Sequence, residues 1–359
     1  GKWQVKTGGV IATSPAIAGG VVYFGSADKN LYAIDVDSGQ VAWTFETGAP
    51  IWSSPVVAAG TLFFGSDDGL LYALNSQTGT QRWAFKTGGS VRSAPLFVAG
   101  VVYAGSSDGR LYAIDSRTGR QQWTFAARGP IQTRPALADG VLYVGSRAPG
   151  TAGAGGTLYA LDIETGREKW RFQTGALVTS PTVAGDTVYV GSANGYLYAV
   201  ARQTGTEQWR FKTAGPISAA PAVSGGLIYF GSHDTRLYAL DRRTGQKKWS
   251  FKTGLWVESA PTLADGVVFF GSDDTALYAL NRLTGQPRWK FETKGNVKAS
   301  PLIFDQVVYF GSYDSNFYAV NLGRPRKLQH ASGNPGEPAA ELNTAIRLTS
   351  FTPNFCCPG

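Results

Sequence analysis

The segment LYAIDVDSGQVAWTF, Leu31–Phe45, recurs along the chain and decides the fold. Its tryptophan returns at steps of 40, 40, 40, 47, 39, 40 and 40 residues, a period typical of repeat architectures. A proline and a Gly-Ser pair keep nearly the same step, which excludes a chance spacing of tryptophan. The repeated tryptophans are Trp3, Trp43, Trp83, Trp123, Trp170, Trp209, Trp249 and Trp289. The sequence therefore predicts one supersecondary unit copied eight times.

Composition agrees with a chain of short strands and tight turns. Only 16% of the 359 residues are charged, and 46 are glycine. A unit of about 40 residues is too short to bury a core alone, so stacked copies must share one. The copy at 51–87 shows four runs rich in β-formers, separated by turns such as Asp68-Gly69. These predicted strands are 51–57, 61–66, 71–74 and 81–85.

One motif within the repeat is specific. The pattern A-x-D-x-x-T-G-x-x-x-W occurs as Ala113, Asp115, Thr118, Gly119 and Trp123. It resembles the tryptophan-docking repeat of the quinoprotein (PQQ) propeller family, over residues 1–322. The resemblance implies an all-β, eight-bladed propeller of four-stranded antiparallel blades, with each tryptophan packed between neighbouring blades. Departures from the pattern are Asn75, Asn281 and Ala201, which stand where the Asp is expected.

The two ends of the repeat region fit ring closure. The chain begins with a fourth-strand segment at 2–7, and its last copy stops after a third strand at 317–320. The N-terminal strand can therefore complete the final blade and leave no open sheet edge. We expect a monomeric propeller over 1–322 and a disordered tail over 323–359, where the periodicity is lost.

Charge and hydropathy exclude two classes of partner. The net charge is +8, but the Lys and Arg residues recur singly in each copy, as expected for solvated outer strands. No basic run or RNA-binding motif occurs, so no nucleic-acid partner is predicted. No run of eighteen apolar residues is present, so no membrane span is predicted. The sequence starts at Gly1 without a Met or a signal-peptide pattern, so it does not indicate the cellular location directly.

Two classes of position vary while the rest of the repeat is kept. In a propeller, the hairpin between the second and third strands and the crossover between blades lie on one face, here called the channel face. The crossover positions, two residues before each Ser/Ala-Pro pair, are Ala12, Trp52, Arg92, Gln132, Val178, Ser218, Glu258 and Lys298. The hairpin positions, directly after each Gly-Ser pair, are Ala27, Asp67, Ser107, Arg147, Ala193, His233, Asp273 and Tyr313. Variation confined to one face predicts that this face carries the function.

Two irregularities lie on the same face. Blade 4 replaces its short hairpin by a Gly-rich insertion over 147–156, and Arg134 occupies a pre-proline position that is Ser or Ala in every other copy. A tolerated insertion and a surface arginine explain these features equally well. We predict that this face binds a planar anion or a peptide that carries carboxylates and hydrophobic anchors. The predicted site residues are Trp52, Arg92, Gln132, Arg134, Trp256, Glu258 and Lys298, with the hairpin residues Asp67, Arg147, His233, Asp273 and Tyr313 beside them.

Catalytic signatures are few. His233 and His330 are the only histidines, so a site of several imidazoles is impossible, and no nucleophilic Ser motif accompanies them. Quinoprotein dehydrogenases hold PQQ with calcium on this kind of face and carry long insertions and an adjacent cysteine pair. Here the insertions are missing, and Cys356 and Cys357 lie in the tail. No catalytic residue, metal site or cofactor is predicted, although PQQ with calcium stays an alternative.

Three functions remain open. The layout is similar to that of BamB-type lipoproteins of outer-membrane assembly, which implies a protein or peptide partner and the periplasm or extracellular face of a bacterial cell envelope. A second hypothesis is a propeller that senses PQQ or another small ligand within a longer receptor or kinase. A quinoprotein dehydrogenase is the third, and the missing insertions weigh against it.

Overall fold

The computed structural model describes residues 2–147 and 155–322, which form thirty-two strands in eight four-stranded antiparallel sheets. The eight-bladed propeller predicted from the repeat is confirmed. Most of the predicted insertion, residues 148–154, and the whole predicted tail, residues 323–359, lie outside the described residues. The described residues include no helix that could cross a membrane.

The blades follow one another in chain order. Blade 1 contains β2 (Ala16–Ala18), β3 (Val21–Gly25), β4 (Asn30–Asp35) and β5 (Val41–Glu46). Blade 2 contains β6 (Val56–Ala58), β7 (Thr61–Gly65), β8 (Leu70–Asn75) and β9 (Gln81–Lys86). Blade 3 contains β10 (Leu96–Val98), β11 (Val101–Gly105), β12 (Arg110–Asp115) and β13 (Gln121–Ala126). Blade 4 contains β14 (Ala136–Ala138), β15 (Val141–Arg147), β16 (Gly156–Asp162) and β17 (Glu168–Gln173).

The second half repeats this plan. Blade 5 contains β18 (Thr182–Ala184), β19 (Thr187–Gly191), β20 (Tyr196–Ala201) and β21 (Glu207–Lys212). Blade 6 contains β22 (Ala222–Ser224), β23 (Leu227–Ser232), β24 (Arg236–Asp241) and β25 (Lys247–Lys252). Blade 7 contains β26 (Thr262–Ala264), β27 (Val267–Gly271), β28 (Ala276–Asn281) and β29 (Pro287–Glu292). Blade 8 contains β30 (Leu302–Phe304), β31 (Val307–Gly311), β32 (Asn316–Asn321) and the N-terminal β1 (Trp3–Lys6).

The innermost strand of each blade is shorter than the sequence predicted. In blade 2 the predicted run 51–57 contributes only its end to the ladder, because β6 begins at Val56. Pro55 has no N–H to donate to a ladder. The hydroxyl of Ser53, just before it, donates to the backbone oxygen of Ser93 in blade 3 at 2.9 Å. This segment therefore links neighbouring blades instead of extending its own sheet.

The core lies between the blades. Leu31 and Tyr23 of blade 1 pack with Phe64 and Leu74 of blade 2 in one buried cluster, and similar clusters fill the other seams. Each sheet therefore buries both faces against its neighbours, as expected for a unit too small to hold a core alone.

The repeated tryptophans dock across these seams. The indole N–H of Trp83 donates to the backbone oxygen of Ser116 in the next blade at 2.9 Å. Its ring covers Gly119, which has a φ of 70°, and a Cβ there would lie 2.9 Å from the ring. Glycine is thus required both by the left-handed backbone and by the close approach of the indole. The docking role implied by the family resemblance is confirmed.

Ring closure also follows the prediction. Strand β1 pairs with β32 in an antiparallel register that sets Trp3 opposite Ala319. The indole N–H of Trp3 then donates to the backbone oxygen of Val36 in blade 1 at 2.9 Å. The N-terminal strand therefore completes blade 8 and also forms the seam to blade 1.

Candidate functional site

Hydrogen bonds hold each hairpin and the following crossover together on the channel face. The amide of Ile51, in the crossover from blade 1 to blade 2, donates to the backbone oxygen of Ser26 at the blade 1 hairpin, at 3.1 Å. In blade 7, Asp274 Oδ2 accepts the amide of Gly254 and the hydroxyl of Tyr278, both at 2.7 Å. Such contacts fix the backbone positions from which the variable side chains of both classes project.

The two variable classes meet in pairs. Four crossover residues contact the hairpin residue of the preceding blade, always 25 positions earlier in the chain. The pairs are Arg92 with Asp67 at 2.7 Å, Gln132 with Ser107 at 3.3 Å, Glu258 with His233 at 2.8 Å and Lys298 with Asp273 at 3.2 Å. Sequence reasoning found both classes but missed this pairing. The constant spacing of 25 residues was the signal that could have revealed it.

Glu258 joins two of these pairs into one cluster across blades 6 to 8. Its Oε1 accepts from His233 Nε2 at 2.8 Å, and its Oε2 forms an ion pair with the ammonium of Lys298. The hydroxyl of Ser218 lies 3.0 Å from the same nitrogen of His233. Only 18% of the Glu258 side chain is exposed. The hydrogen bond from His233 and the charge of Lys298 lower the pKa of Glu258 to about 2.

Asp273 and Tyr313 complete this group, here called the acid–base cluster (His233, Glu258, Asp273, Lys298 and Tyr313). Asp273 is buried, and its Oδ2 lies 3.2 Å from Lys298 Nζ. Its Oδ1 has no hydrogen-bond partner within the described part of the chain. Burial, and then the charge of Glu258, raise the pKa of Asp273. Lys298 also stands over the Tyr313 ring at 5.5 Å, so one ammonium holds three neighbours.

The burial of Lys298 would by itself lower the pKa of its ammonium. The hydrogen bond and charge of Glu258, with the charge of Asp273, outweigh that effect and raise this pKa. Lys298 is therefore charged at neutral pH.

An exposed apolar pair borders the acid–base cluster. The Trp256 ring stacks on His233 with 4.5 Å between ring centres and 9° between planes. Trp256 is nevertheless 47% exposed, and Leu255 beside it is 52% exposed. The polar residues thus fix the orientation of an aromatic side chain that remains open to solvent.

The other predicted residues lie apart from this group. Arg92 is paired with Asp67 by two hydrogen bonds, and Gln132 contacts Ser107. Trp52 is half-buried, whereas Arg134 and Arg147 are exposed. Among the described residues, neither Arg134 nor Trp52 contacts the acid–base cluster through a hydrogen bond, ion pair or ring contact. Of the twelve predicted residues, the structure brings together Trp256, Glu258, Lys298, His233, Asp273 and Tyr313.

Val178 is not a variable residue of the channel face. It is 2% exposed, belongs to the core cluster between blades 4 and 5, and would contact a Cβ placed on Gly145. In the next seam, Ile217 takes that place against Gly191. The crossover before blade 5 is one residue shorter than the others, so Val178 fills the core position. The assignment of Val178 as a crossover position was therefore wrong.

The carboxylates of the acid–base cluster do not fit the calcium site that PQQ would require. Calcium binds six to eight oxygen ligands, but the ammonium of Lys298 occupies the space between Glu258 and Asp273. No group of three His, Cys, Asp or Glu residues suited to a metal occurs in residues 2–147 and 155–322. His330 and the Cys356–Cys357 pair lie outside these residues.

A cavity of about 310 Å³ lies on the opposite face, between blades 4 and 5. Trp170 and Tyr143 form its apolar wall. Arg202, which also lines the cavity, forms an ion pair with Asp139, with 2.6 Å between a guanidinium nitrogen and a carboxylate oxygen. This ion pair crosses the seam between blades 4 and 5. The cavity therefore has the character of an imperfectly filled seam between blades.

Comparison with known proteins gives the fold a family. A family model described as outer membrane protein assembly factor BamB matches residues 2–56, 46–146, 127–253 and 251–350. No curated protein sequence matches the chain. Similar solved structures include BamB from Moraxella catarrhalis, at 19% identity and a TM-score of 0.73, covering 88% of this chain and 98% of that one.

Two further structures share the fold. The computationally designed Ika8 protein is 18% identical, with a TM-score of 0.77, and the match covers 88% of this chain and 98% of that one. A europium-containing methanol dehydrogenase is 17% identical, with a TM-score of 0.75, and the match covers 86% of this chain and 85% of that one. At such identities these likenesses show the fold alone. The family model, in contrast, spans the whole propeller, and the chain therefore belongs to the BamB family of PQQ-repeat β-propellers.

Proposed function

We propose that the protein is a non-catalytic scaffold that binds a protein partner on its channel face during outer-membrane protein assembly in the bacterial periplasm. Membership of the family described as outer membrane protein assembly factor BamB supports the cellular role. One observation carries the site: Leu255 and Trp256 are both about half exposed, directly beside the acid–base cluster.

The chemistry of this site suits a protein partner. Exposed aromatic side chains with a fixed orientation supply most of the binding energy at many protein interfaces. Trp256 loses little conformational freedom on binding, because His233 already stacks on one face of its ring. The surrounding charged groups pair with one another, as at a polar rim that surrounds a small apolar centre.

The partner should present a complementary surface. An apolar side chain would cover Leu255 and Trp256, and a basic residue would match the carboxylate groups of Glu258 and Asp273. Lys298 between the carboxylates argues against calcium-bound PQQ at this place, so the sensor and dehydrogenase alternatives gain no support from it.

Site-specific photo-cross-linking in the envelope of the native host tests this proposal. A photoreactive phenylalanine analogue replaces Trp256 in one variant and Leu283 in another. Leu283 is a matched control because it is 60% exposed but lies on the opposite face, in the turn between β28 and β29. We expect position 256 to yield an adduct with an outer-membrane assembly protein, and position 283 to yield none.

A second variant examines the orientation of Trp256. With the cross-linker at Leu255, His233→Ala should reduce the yield of the adduct at least several-fold, because the stacked ring is lost. Adducts of equal yield from positions 256 and 283, or adducts only with proteins unrelated to outer-membrane assembly, would refute the proposed function.

A further inference from the structure

The residues that precede the eight prolines form a ring around the central channel, here called the channel ring. Each residue is separated from the innermost strand of its blade by the proline alone. Where the next member is a serine, its hydroxyl accepts the backbone amide of the previous member, as from Ser14 to Ser54 at 2.9 Å and from Arg134 to Ser180 at 2.9 Å. The members are Ser14, Ser54, Ala94, Arg134, Ser180, Ala220, Ala260 and Ser300.

Arg134 is the only member with a long or charged side chain. Its side chain is exposed to solvent, yet the surrounding blades lower the pKa of its guanidinium by desolvation, with no carboxylate to offset that effect. A residue in a channel surrounded by the blades combines these properties. Arg92 and Arg202, in contrast, are paired with Asp67 and Asp139. Arg134 is thus a cation without a protein counterion in the described part of the chain.

Further donors of the channel ring lack acceptors. Where the next member is not a serine, the backbone amide has no acceptor among residues 2–147 and 155–322. These amides belong to Ser54, Ala94, Ser180 and Ala220. The innermost strands supply no carboxylate either, since their sequences are AIA, VVA, LFV, ALA, TVA, AVS, TLA and LIF. The channel ring therefore has an excess of donors and one positive charge, and no anionic group.

We propose that the channel ring is an anion site that binds a carboxylate through Arg134. A guanidinium binds a carboxylate through two parallel hydrogen bonds, and backbone amides add charge-assisted donors. The carboxylate belongs either to a small free anion or to an acidic side chain that a partner inserts into the channel. This inference does not rest on the proposed docking site, because the two share no residue.

Amide chemical shifts test the site directly. The protein, labelled with ¹⁵N, is titrated at constant ionic strength with sodium acetate, and separately with the capped peptide acetyl-Gly-Glu-Gly-amide. We expect saturable shifts of the Ala94 and Ala220 amides, but not of Gly254, whose amide already donates to Asp274. Shifts with both probes show a general carboxylate site. Shifts with acetate alone indicate a free anion, and shifts with the peptide alone indicate an acidic side chain.

Arg134→Ser should abolish these shifts and also raise the melting temperature by about 2 °C without ligand. The unpaired charge is removed, and the new hydroxyl can accept the amide of Ala94 as other ring serines do. Arg120→Ser is the matched control, since it removes an exposed arginine on the opposite face. Arg134→Gln, which keeps the donors without the charge, serves if the serine variant does not fold. Absence of saturable shifts in the wild type, or their persistence in both Arg134 variants, would overturn the proposal.

Discussion

At the scale of single residues, Glu258 determines the charge balance of the acid–base cluster. Its pKa of about 2 lies below the ordinary value of 4.5, so its carboxylate stabilises the fold fully above about pH 4.5. This contribution is lost as the pH falls from there towards 2. We expect Glu258→Gln to lower the free energy of unfolding by about 1–2 kcal/mol at pH 7 and progressively less below pH 4.5. Urea unfolding followed by tryptophan fluorescence measures both effects.

Glu292→Gln is the control for this experiment. The Glu292 side chain is 73% exposed and forms an exposed ion pair with Lys290, so its replacement should change stability very little at any pH. A Glu258→Gln deficit of the same size at pH 7 and pH 3 would show that the carboxylate charge has no part in it.

The sequence predicted which residues vary but not which of them meet. Glu258 and His233 were both identified because they escape the repeat, and the eight tryptophans were correctly given to packing. Contacts of individual side chains depend on rotamers and on the lengths of single loops. A repeat pattern describes only what the copies share and so does not contain this information. Val178 shows the limit, since the loss of one neighbouring residue moved it from the surface into the core.

At the scale of elements, the three hairpins that carry the acid–base cluster share a backbone irregularity. Their left-handed residues are Thr235, Thr275 and Ser315, at φ of 70°, 71° and 67°, where blades 2 and 3 have Gly69 and Gly109. Blade 1 also has a residue with a side chain at this position, Lys29, at φ of 76°. A left-handed conformation costs a residue with a side chain about 1–2 kcal/mol. Because Lys29 lies in a hairpin that carries no part of the acid–base cluster, this strain does not by itself mark the binding site.

Thr275→Gly should therefore raise the free energy of unfolding by about 1 kcal/mol, because strain is relieved at the expense of some chain entropy. The reverse change in blade 3, Gly109→Thr, should lower it by about 1–2 kcal/mol. Urea denaturation of both variants beside the wild type measures the two shifts. If both variants lose stability, the hairpin of blade 7 is adapted to threonine and stores no strain.

Strand order was predictable from the sequence, whereas strand limits were not. β-formers and Gly turns defined four strands in every copy, and antiparallel neighbours left little choice of order. The innermost strands are only three residues long because Pro55 and its counterparts interrupt the ladder. The residues before these prolines then became the channel ring, whose bonds run between blades and cannot be found from the pattern of one blade.

At the scale of the whole molecule, the ring closes through a contact between the two ends of the repeat region. Strand β1 contributes the fourth strand of blade 8, and Trp3 docks on blade 1 as Trp83 docks on blade 3. These two tryptophans have equivalent local contacts, with indole N–H bonds of 2.9 Å in both cases. Only Trp3, however, lies on a strand that the chain can release without breaking a blade in its interior.

We therefore expect Trp3→Ala and Trp83→Ala to lower the free energy of unfolding by similar amounts. The two variants should differ in which strands open locally. Each removes a large packed side chain, with an expected loss of about 3 kcal/mol in the free energy of unfolding. Hydrogen exchange followed by mass spectrometry should show faster exchange of β1 and β32 in Trp3→Ala, because the closing strand frays first. In Trp83→Ala, β1 and β32 should exchange as in the wild type. Equal protection of β1 in both variants would mean that the ladder to β32 holds the closure without the docked indole.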